Sequence, residues 1–330
     1  MSDGFDLPAG PWPALAEPSG LEPESGWRRF KAPFFRIFGS LPFCILLFLL
    51  TLLSALALGA QMAQNYSAHL PVFDVDISWA ALAGFLRHPA ELWPGAPYAA
   101  TLLGVLLAHE MGHYVTCRYY RIDATYPYFI PAPTLIGTLG AFIRIRSPLV
   151  TRRELFDVGI SGPIAGFVIA LPVLVVSAWR AGVQAVTPPP GSIALGSPLA
   201  QVLAARLFHP GVAAGRLALS PAGCGAWVGL FATALNLLPM GQLDGGHIIY
   251  AVFGRKHRYV SLGFFAALFP LGILYWQGWL VWAGLMLLIG LRHPAPLMDE
   301  GRLDPGRKAL AALALVMFLL CFTLTPFIVT

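Results

Sequence analysis

Long apolar runs separated by short polar or Pro/Gly-rich segments dominate this chain. Leu41–Ala63 is a run of the length that crosses a bilayer, which takes about 20 residues as a helix. Further candidates are Tyr98–Cys117, Leu155–Trp179, Gly223–Leu238, Tyr259–Tyr275, Leu280–Leu291 and Ala309–Val329. The pair within 259–291 also fits a tight helical hairpin or a partly re-entrant segment. The pattern predicts an all-α membrane protein, a bundle of about six to seven transmembrane helices. One stretch departs from it. Residues 127–150 carry Pro127, Pro131 and Pro133 and then alternate in a strand-like way around Gly140, so a small extended or β segment is expected there. Non-helical backbone at a membrane is tolerated only where protein or a water cavity satisfies it.

Composition sharpens the class. Hydrophobic residues make up 57% of the 330 positions and charged residues only 11%, against about 25% charged in an ordinary soluble domain. Lipid is therefore the expected solvent for much of the chain. The net charge of +5 does not point to nucleic acid, because the basic residues sit between apolar runs and form no stripe. The four cysteines, Cys44, Cys117, Cys224 and Cys321, lie in or beside apolar runs with no CxxC pair, which excludes a disulfide framework or a cysteine zinc site.

Residues 1–26 are rich in Pro, Gly, Glu and Ser and read as a disordered tail, followed by a basic, aromatic stretch with Trp27, Arg28, Arg29, Lys31 and Arg36. The expected organisation is a cytoplasmic N-terminal segment 1–40, a first transmembrane helix 41–63, an extracytoplasmic loop 64–96, a core 97–250 and C-terminal transmembrane helices 251–330. With the N-terminus inside, all of the 21 Lys and Arg residues except Arg87, Arg180, Arg206 and Arg216 fall on the cytoplasmic side. That asymmetry is the signature of orientation in a membrane. The excess of Arg over Lys, with abundant Ala and Gly, suggests a bacterial inner membrane; a plastid membrane is the alternative, although residues 1–26 are too acidic to resemble a transit peptide.

The second run ends in a polar cluster. His109-Glu110-Met111-Gly112-His113 has the form HExxH, and on a helix positions i and i+4 share a face, so both imidazoles reach one metal ion with Glu110 beside them as a general base. Ionisable groups in a membrane helix are costly, so three in one turn argue for chemistry. A catalytic zinc usually has three protein ligands and one open position. The later run ends in Asn236-Leu237-Leu238-Pro239-Met240-Gly241-Gln242-Leu243-Asp244-Gly245-Gly246-His247. Asp244 and His247 are the candidates for the third ligand. Asp244 lies at the same end of its span, on the same side, as the two histidines, although Asp-Gly is also ordinary turn chemistry.

HExxH in one span and Asn-x-x-Pro-x-x-x-Leu-Asp-Gly in a later one resemble the site-2 protease family of intramembrane zinc metalloproteases, peptidase family M50. Phe129-Ile-Pro-Ala-Pro, Gly137-Thr-Leu-Gly-Ala-Phe and Leu155-Phe-Asp-Val-Gly-Ile-Ser-Gly-Pro-Ile-Ala-Gly resemble its EGY-like branch. The resemblance covers about residues 98–250. It implies that His109, His113 and Asp244 bind Zn2+, that Glu110 is the base, and that a transmembrane protein substrate is cut within or near the lipid bilayer. Asn236 matches the family's Asn, whose role would be to polarise the scissile carbonyl or hold the oxyanion; an interhelical hydrogen bond is the structural alternative. Segment 181–221 is too short for the PDZ domain that many relatives carry.

Two weaker signals remain. Gly159, Gly162 and Gly166 are spaced for close helix contact. Gly137–Ile145 is suited to pairing with an unwound substrate as an added strand. The competing function is a transporter or ion channel using the His/Glu/Asp cluster as a cation or proton relay, which calls for polar residues across the whole bilayer depth. A catalytically inert relative would lack a ligand or the base, and none is missing.

Overall fold

The computed structural model describes residues 40–73, 84–85, 87–132, 136–183, 190–290, 296, 298 and 303–329. The expected disordered tail and the basic segment after it lie outside these residues, as do parts of the loops after Phe73 and Val183.

Helix α1 runs Leu41–Ser67, and a 3₁₀ turn, Pro89–Gly95, leads into α2, Ala96–Tyr119. Strands β1, Tyr128–Pro131, and β2, Thr138–Phe142, follow. Then come α3 (Arg152–Arg180), β3 (Gly182–Val183), β4 (Ile193–Leu195), α4 (Leu199–Phe208), β5 (Leu217–Ala218) and α5 (Pro221–Asn236). The chain ends with α6 (Asp244–Phe253), α7 (His257–Leu274), α8 (Gly278–Ile289), α9 (Pro305–Cys321) and β6 (Phe327–Val329). The protein is mostly helical, as its periodicity predicts; β1 and β2 fall in the expected extended segment, and β3 to β6 were not expected.

Helix ends follow local chemistry. Thr151 and Glu154 form a reciprocal capping box at the start of α3, Ser220 caps α5 and Asp304 caps α9. Each satisfies N–H groups that have no partner inside the helix. Pro163 and Pro172 sit inside α3, as membrane helices tolerate.

The expected number of spans meets a physical limit. Among the described residues, three helices are long and apolar enough to cross a membrane: Leu41–Ser67, Arg152–Arg180, and Asp244–Leu274, in which α6 and α7 join through a 3₁₀ turn. The other expected runs are helical but shorter or more polar, and the last, Ala309–Val329, is helical only to Cys321, with Phe327–Val329 forming a strand instead. Helix α2 spans about 36 Å at 1.5 Å per residue, yet carries His109, Glu110 and His113. Helix α5 reaches only about 24 Å and α9 about 26 Å, against a hydrocarbon core of about 30 Å.

Helices α2, α3 and α5 form the centre, packed on each other more than on anything else. Small residues allow this. A Cβ on Gly225 or Gly229 of α5 would strike Tyr98 or Val105 of α2, and a Cβ on Gly112 of α2 would lie 2.5 Å from the Ser161 carbonyl of α3. Such contacts drive helix association where water provides no hydrophobic force. The outer faces are apolar: Leu288, Ile273, Val281 and Leu274 are exposed, while Thr51, His109, Glu110, His113 and Thr233 are buried. This inside-out distribution is what a lipid solvent favours.

The extended segment forms as expected. β1 and β2 pair antiparallel, with Tyr128 opposite Phe142 and Phe129 opposite Ala141. Beyond the strands the pairing continues through Thr125 N–H to Arg144 O (3.0 Å) and Arg146 N–H to Asp123 O (2.8 Å). The tip is pinned among helices: Ser54 donates to the Gly137 carbonyl, Tyr98 donates to the Ile136 carbonyl at 2.9 Å, and Phe48 meets Phe129 edge-on. Gly137 has φ +80° and sits against Ala55 and Leu58 of α1, a backbone and a gap that suit only glycine.

Candidate metal centre

Helical spacing puts His109 and His113 on one face of α2, where both are buried. Their Nε2 atoms are 3.1 Å apart. Asp244 arrives from the far side of the chain. After Asn236 ends α5, residues 237–243 fold into consecutive turns, with Gly241 at φ +52°. Gly245 and Gly246 press against the carbonyls of Leu237 and Gly241, closer than any Cβ would permit. This tight return starts α6 with the Asp244 carboxylate facing α2 rather than capping its own helix; Leu243 occupies the N-cap and makes no side-chain cap bond.

Asp244 Oδ2 lies 3.1 Å from His109 Nε2 and 3.3 Å from His113 Nε2. Asn236 Nδ2 is also 3.1 Å from His109 Nε2. An imidazole nitrogen carries either one proton or one lone pair, so it can satisfy only one of these neighbours by hydrogen bonding. A shared cation suits the donor set better. Ligands about 2.0–2.1 Å from a tetrahedral zinc are separated by about 3.3 Å, and the observed triangle has edges of 3.1, 3.1 and 3.3 Å. His109, His113 and Asp244 are the group of metal-binding side chains found among the described residues. The rival His247 stands outside that group and lines the neighbouring cavity.

The surroundings orient these atoms. His113 Nδ1 bonds to the Val158 carbonyl of α3 at 2.7 Å, which fixes the ring with Nε2 inward. The three glycines of α3 each face a histidine. A Cβ on Gly162 would lie 2.2 Å from His113 Nε2, one on Gly159 2.7 Å from His247 Cβ, and one on Gly166 3.4 Å from His109 Cβ. Their spacing was legible as a close-contact motif, but what they contact was not.

A cavity of about 200 Å³ opens beside the cluster, lined by Glu110, His113, Asn236, Asp244 and His247 together with Ala141, Phe142, Ile143 and Ile145. Glu110 is buried and shares this cavity with Ile143. The structure thus brings all five sequence-selected residues, His109, Glu110, His113, Asn236 and Asp244, to one place. Sequence reasoning missed the Val158 carbonyl, because backbone groups leave no side-chain signature.

The comparisons with known proteins agree. The family described as Peptidase family M50 matches residues 97–275. A rice protein (Oryza sativa subsp. japonica) named "Probable zinc metalloprotease EGY1, chloroplastic" is 32% identical over 291 residues, covering 86% of this chain and 50% of its own. Two Arabidopsis thaliana proteins, "Probable zinc metalloprotease EGY1, chloroplastic" and "Probable zinc metalloprotease EGY2, chloroplastic", are 32% and 30% identical. They are covered over 42% of their own lengths, against 70% and 71% of this chain. The chain therefore spans half or less of these curated relatives. The resemblance to the EGY-like branch holds over the region that carries the site. With the histidine pair, the returning aspartate and the profile match on the same helices, the chain belongs to peptidase family M50.

Proposed function

We propose that this protein is a zinc metalloendopeptidase that cuts a membrane-spanning protein substrate within or near the bilayer. The observation that carries this reading is the triangle of His109 Nε2, His113 Nε2 and Asp244 Oδ2, with edges near those of tetrahedral zinc and Glu110 in the adjoining cavity. His109, His113 and Asp244 would hold the ion. Zinc bound there supplies Lewis acidity toward water and toward a carbonyl oxygen. Glu110, buried beside the cluster, takes the proton of the attacking water and delivers it to the leaving amide nitrogen. Asn236 directs its Nδ2 toward the same point and donates to the developing oxyanion.

A peptide must be extended before its carbonyl is exposed. Ala141 and Phe142 at the end of β2, and Ile143 and Ile145 just after it, line the cavity, which supports β2 as an edge to which an unwound substrate adds as a strand. Segment 181–221 holds α4 and short strands, in keeping with selection of substrate without a PDZ domain. The positive-inside asymmetry supports a cytoplasmic N-terminus, a multi-pass topology of six to seven spans and a site reached from the cytoplasmic side. We place it in a bacterial cell membrane on composition. The relay alternative has less support, since among the described residues the buried histidine and carboxylate side chains other than His257 gather at one point.

The test is purification in detergent, zinc determination, and incubation with single-span model peptides carrying helix-breaking residues in the span. The native chain binds one zinc and cleaves; Glu110→Gln keeps the zinc and does not cleave. Equal cleavage by that variant sinks the mechanism, and zinc-independent ion flux in liposomes would favour the relay. Reporter fusions at residues 66, 190 and 277 test the orientation.

A further inference from the structure

We infer that Arg307, on a helix beyond the family-matched residues 97–275, is a positioning residue for the metal centre, acting through Asp157 and the Val158 carbonyl on His113. The inference rests on the metal reading of the site given above.

The guanidinium holds two carboxylates. Arg307 Nε donates to Asp157 Oδ1 at 2.8 Å and Nη2 to Asp157 Oδ2 at 2.5 Å, a bidentate fork. Nη1 donates to Asp304 Oδ2 at 2.5 Å. Tyr120, at the end of α2, donates its hydroxyl to the same Asp157 Oδ2 at 2.5 Å. The Arg307 and Asp157 side chains are 23% and 21% exposed, so this is no freely hydrated surface pair, and the fork fixes orientation as well as charge. Asp157 therefore ties α3 to the end of α2 and the start of α9.

The next residue makes this tie matter to the site. Val158 follows Asp157 in the same turn of α3, and its carbonyl accepts the His113 Nδ1–H at 2.7 Å. A shift of the Asp157 turn moves the acceptor that aims His113. Helix α9 also packs on the helix that carries the third ligand. Leu303, Ala314 and Met317 pack in one cluster with Phe156 and Ile160 of α3 and with Ile248 and Ala251 of α6, the helix that begins at Asp244. These apolar contacts do not involve the Arg307 head group, so α9 stays docked when the fork is removed. What is lost is the anchor of the α3 turn.

The experiment uses the full chain in detergent with Zn2+ and Co2+ as probes. Zinc affinity is measured by competition with a chromogenic chelator, and the ligand field by the visible absorption of the Co2+ form. Partners of metal ligands typically change affinity by about 10–100-fold. Arg307→Ala is expected to weaken zinc at least tenfold and to alter the Co2+ spectrum. Arg307→Lys keeps the charge without the fork and gives a smaller loss, and Asp157→Asn falls in the same direction. Leu174→Ala, a core truncation at the far end of α3, lowers the melting temperature and leaves both metal readouts unchanged. If Arg307→Ala does not fold, Arg307→Lys and Asp157→Asn carry the test. A native chain that takes up zinc and an Arg307 variant that holds it as tightly, with the same spectrum, overturn this inference alone. A native chain that takes up no zinc sinks the metal reading, and this inference with it.

Discussion

Replacing Gly162 by alanine places one methyl group 2.2 Å from His113 Nε2, 2.5 Å from Cε1 and 2.6 Å from Cδ2. Carbon atoms pack comfortably at about 3.5–4.0 Å, so the ring or the α3 backbone must move by about 1 Å or more. Two effects on stability oppose each other. Alanine improves helix propensity over glycine by about 1 kcal/mol, and overpacking a filled interior costs about 1–3 kcal/mol. The balance is a destabilisation of up to about 2 kcal/mol, which most folded proteins survive. The metal centre is less forgiving. Ligand distances are held within about 0.2 Å, so a shift of about 1 Å takes His113 out of the ligand set. The expected result is a loss of zinc affinity of at least about 100-fold, beyond the 10–100-fold typical of a neighbouring partner, with cleavage lost in parallel. The assay is zinc per protein after equilibration against a chelator, alongside cleavage of a single-span model peptide and thermal unfolding. Gly166→Ala is the internal control: its methyl meets His109 at 3.4 Å, an ordinary contact, so it binds zinc as the native chain does and is at least as stable. A Gly162→Ala protein that keeps tight zinc and full turnover refutes the claim that the absent side chain makes room for His113.

Other outcomes follow from the same geometry. Glu110→Gln retains zinc and lowers cleavage by about 10²–10⁴-fold, the usual range for removing a general base; zinc determination and turnover on one sample check it. Asp244→Ala loses zinc at chelator concentrations that leave His247→Ala loaded, because Asp244 completes the triangle and His247 does not. Tyr98→Phe leaves the Ile136 carbonyl without its 2.9 Å donor at the hairpin tip; a stability loss of about 1–3 kcal/mol and slower cleavage with unchanged zinc are expected, read by melting and kinetics. Removing zinc with a chelator abolishes cleavage, and adding Zn2+ back restores it in the native chain.

Much of this protein could be read without its structure, where the signal is local. Residues i and i+4 of a helix always share a face, so the spacing of His109 and His113 carried the metal hypothesis by itself. Apolar runs located the helices, and alternation around Gly140 located the β-hairpin, because period and side-chain direction are backbone properties. The third ligand was only narrowed to Asp244 or His247, since both lie on the same returning segment. The resemblance favoured Asp244, and the turn 237–243 aims its carboxylate at α2.

The tertiary structure decided the rest. Hydropathy marks an apolar run without measuring how far it reaches, and only the structure shows that α5 is a helix of 16 residues. The glycines of α3 announced a close contact, but only the rotation of α3 against α2 and α6 assigned one to each of His109, His113 and His247. The tie from Arg307 to Asp157 joins residues 150 positions apart, and no periodicity links them. Helical geometry is written into neighbouring residues. Which helix faces which depends on the summed packing of small side chains along whole interfaces, and that sum exists only when the chain is folded.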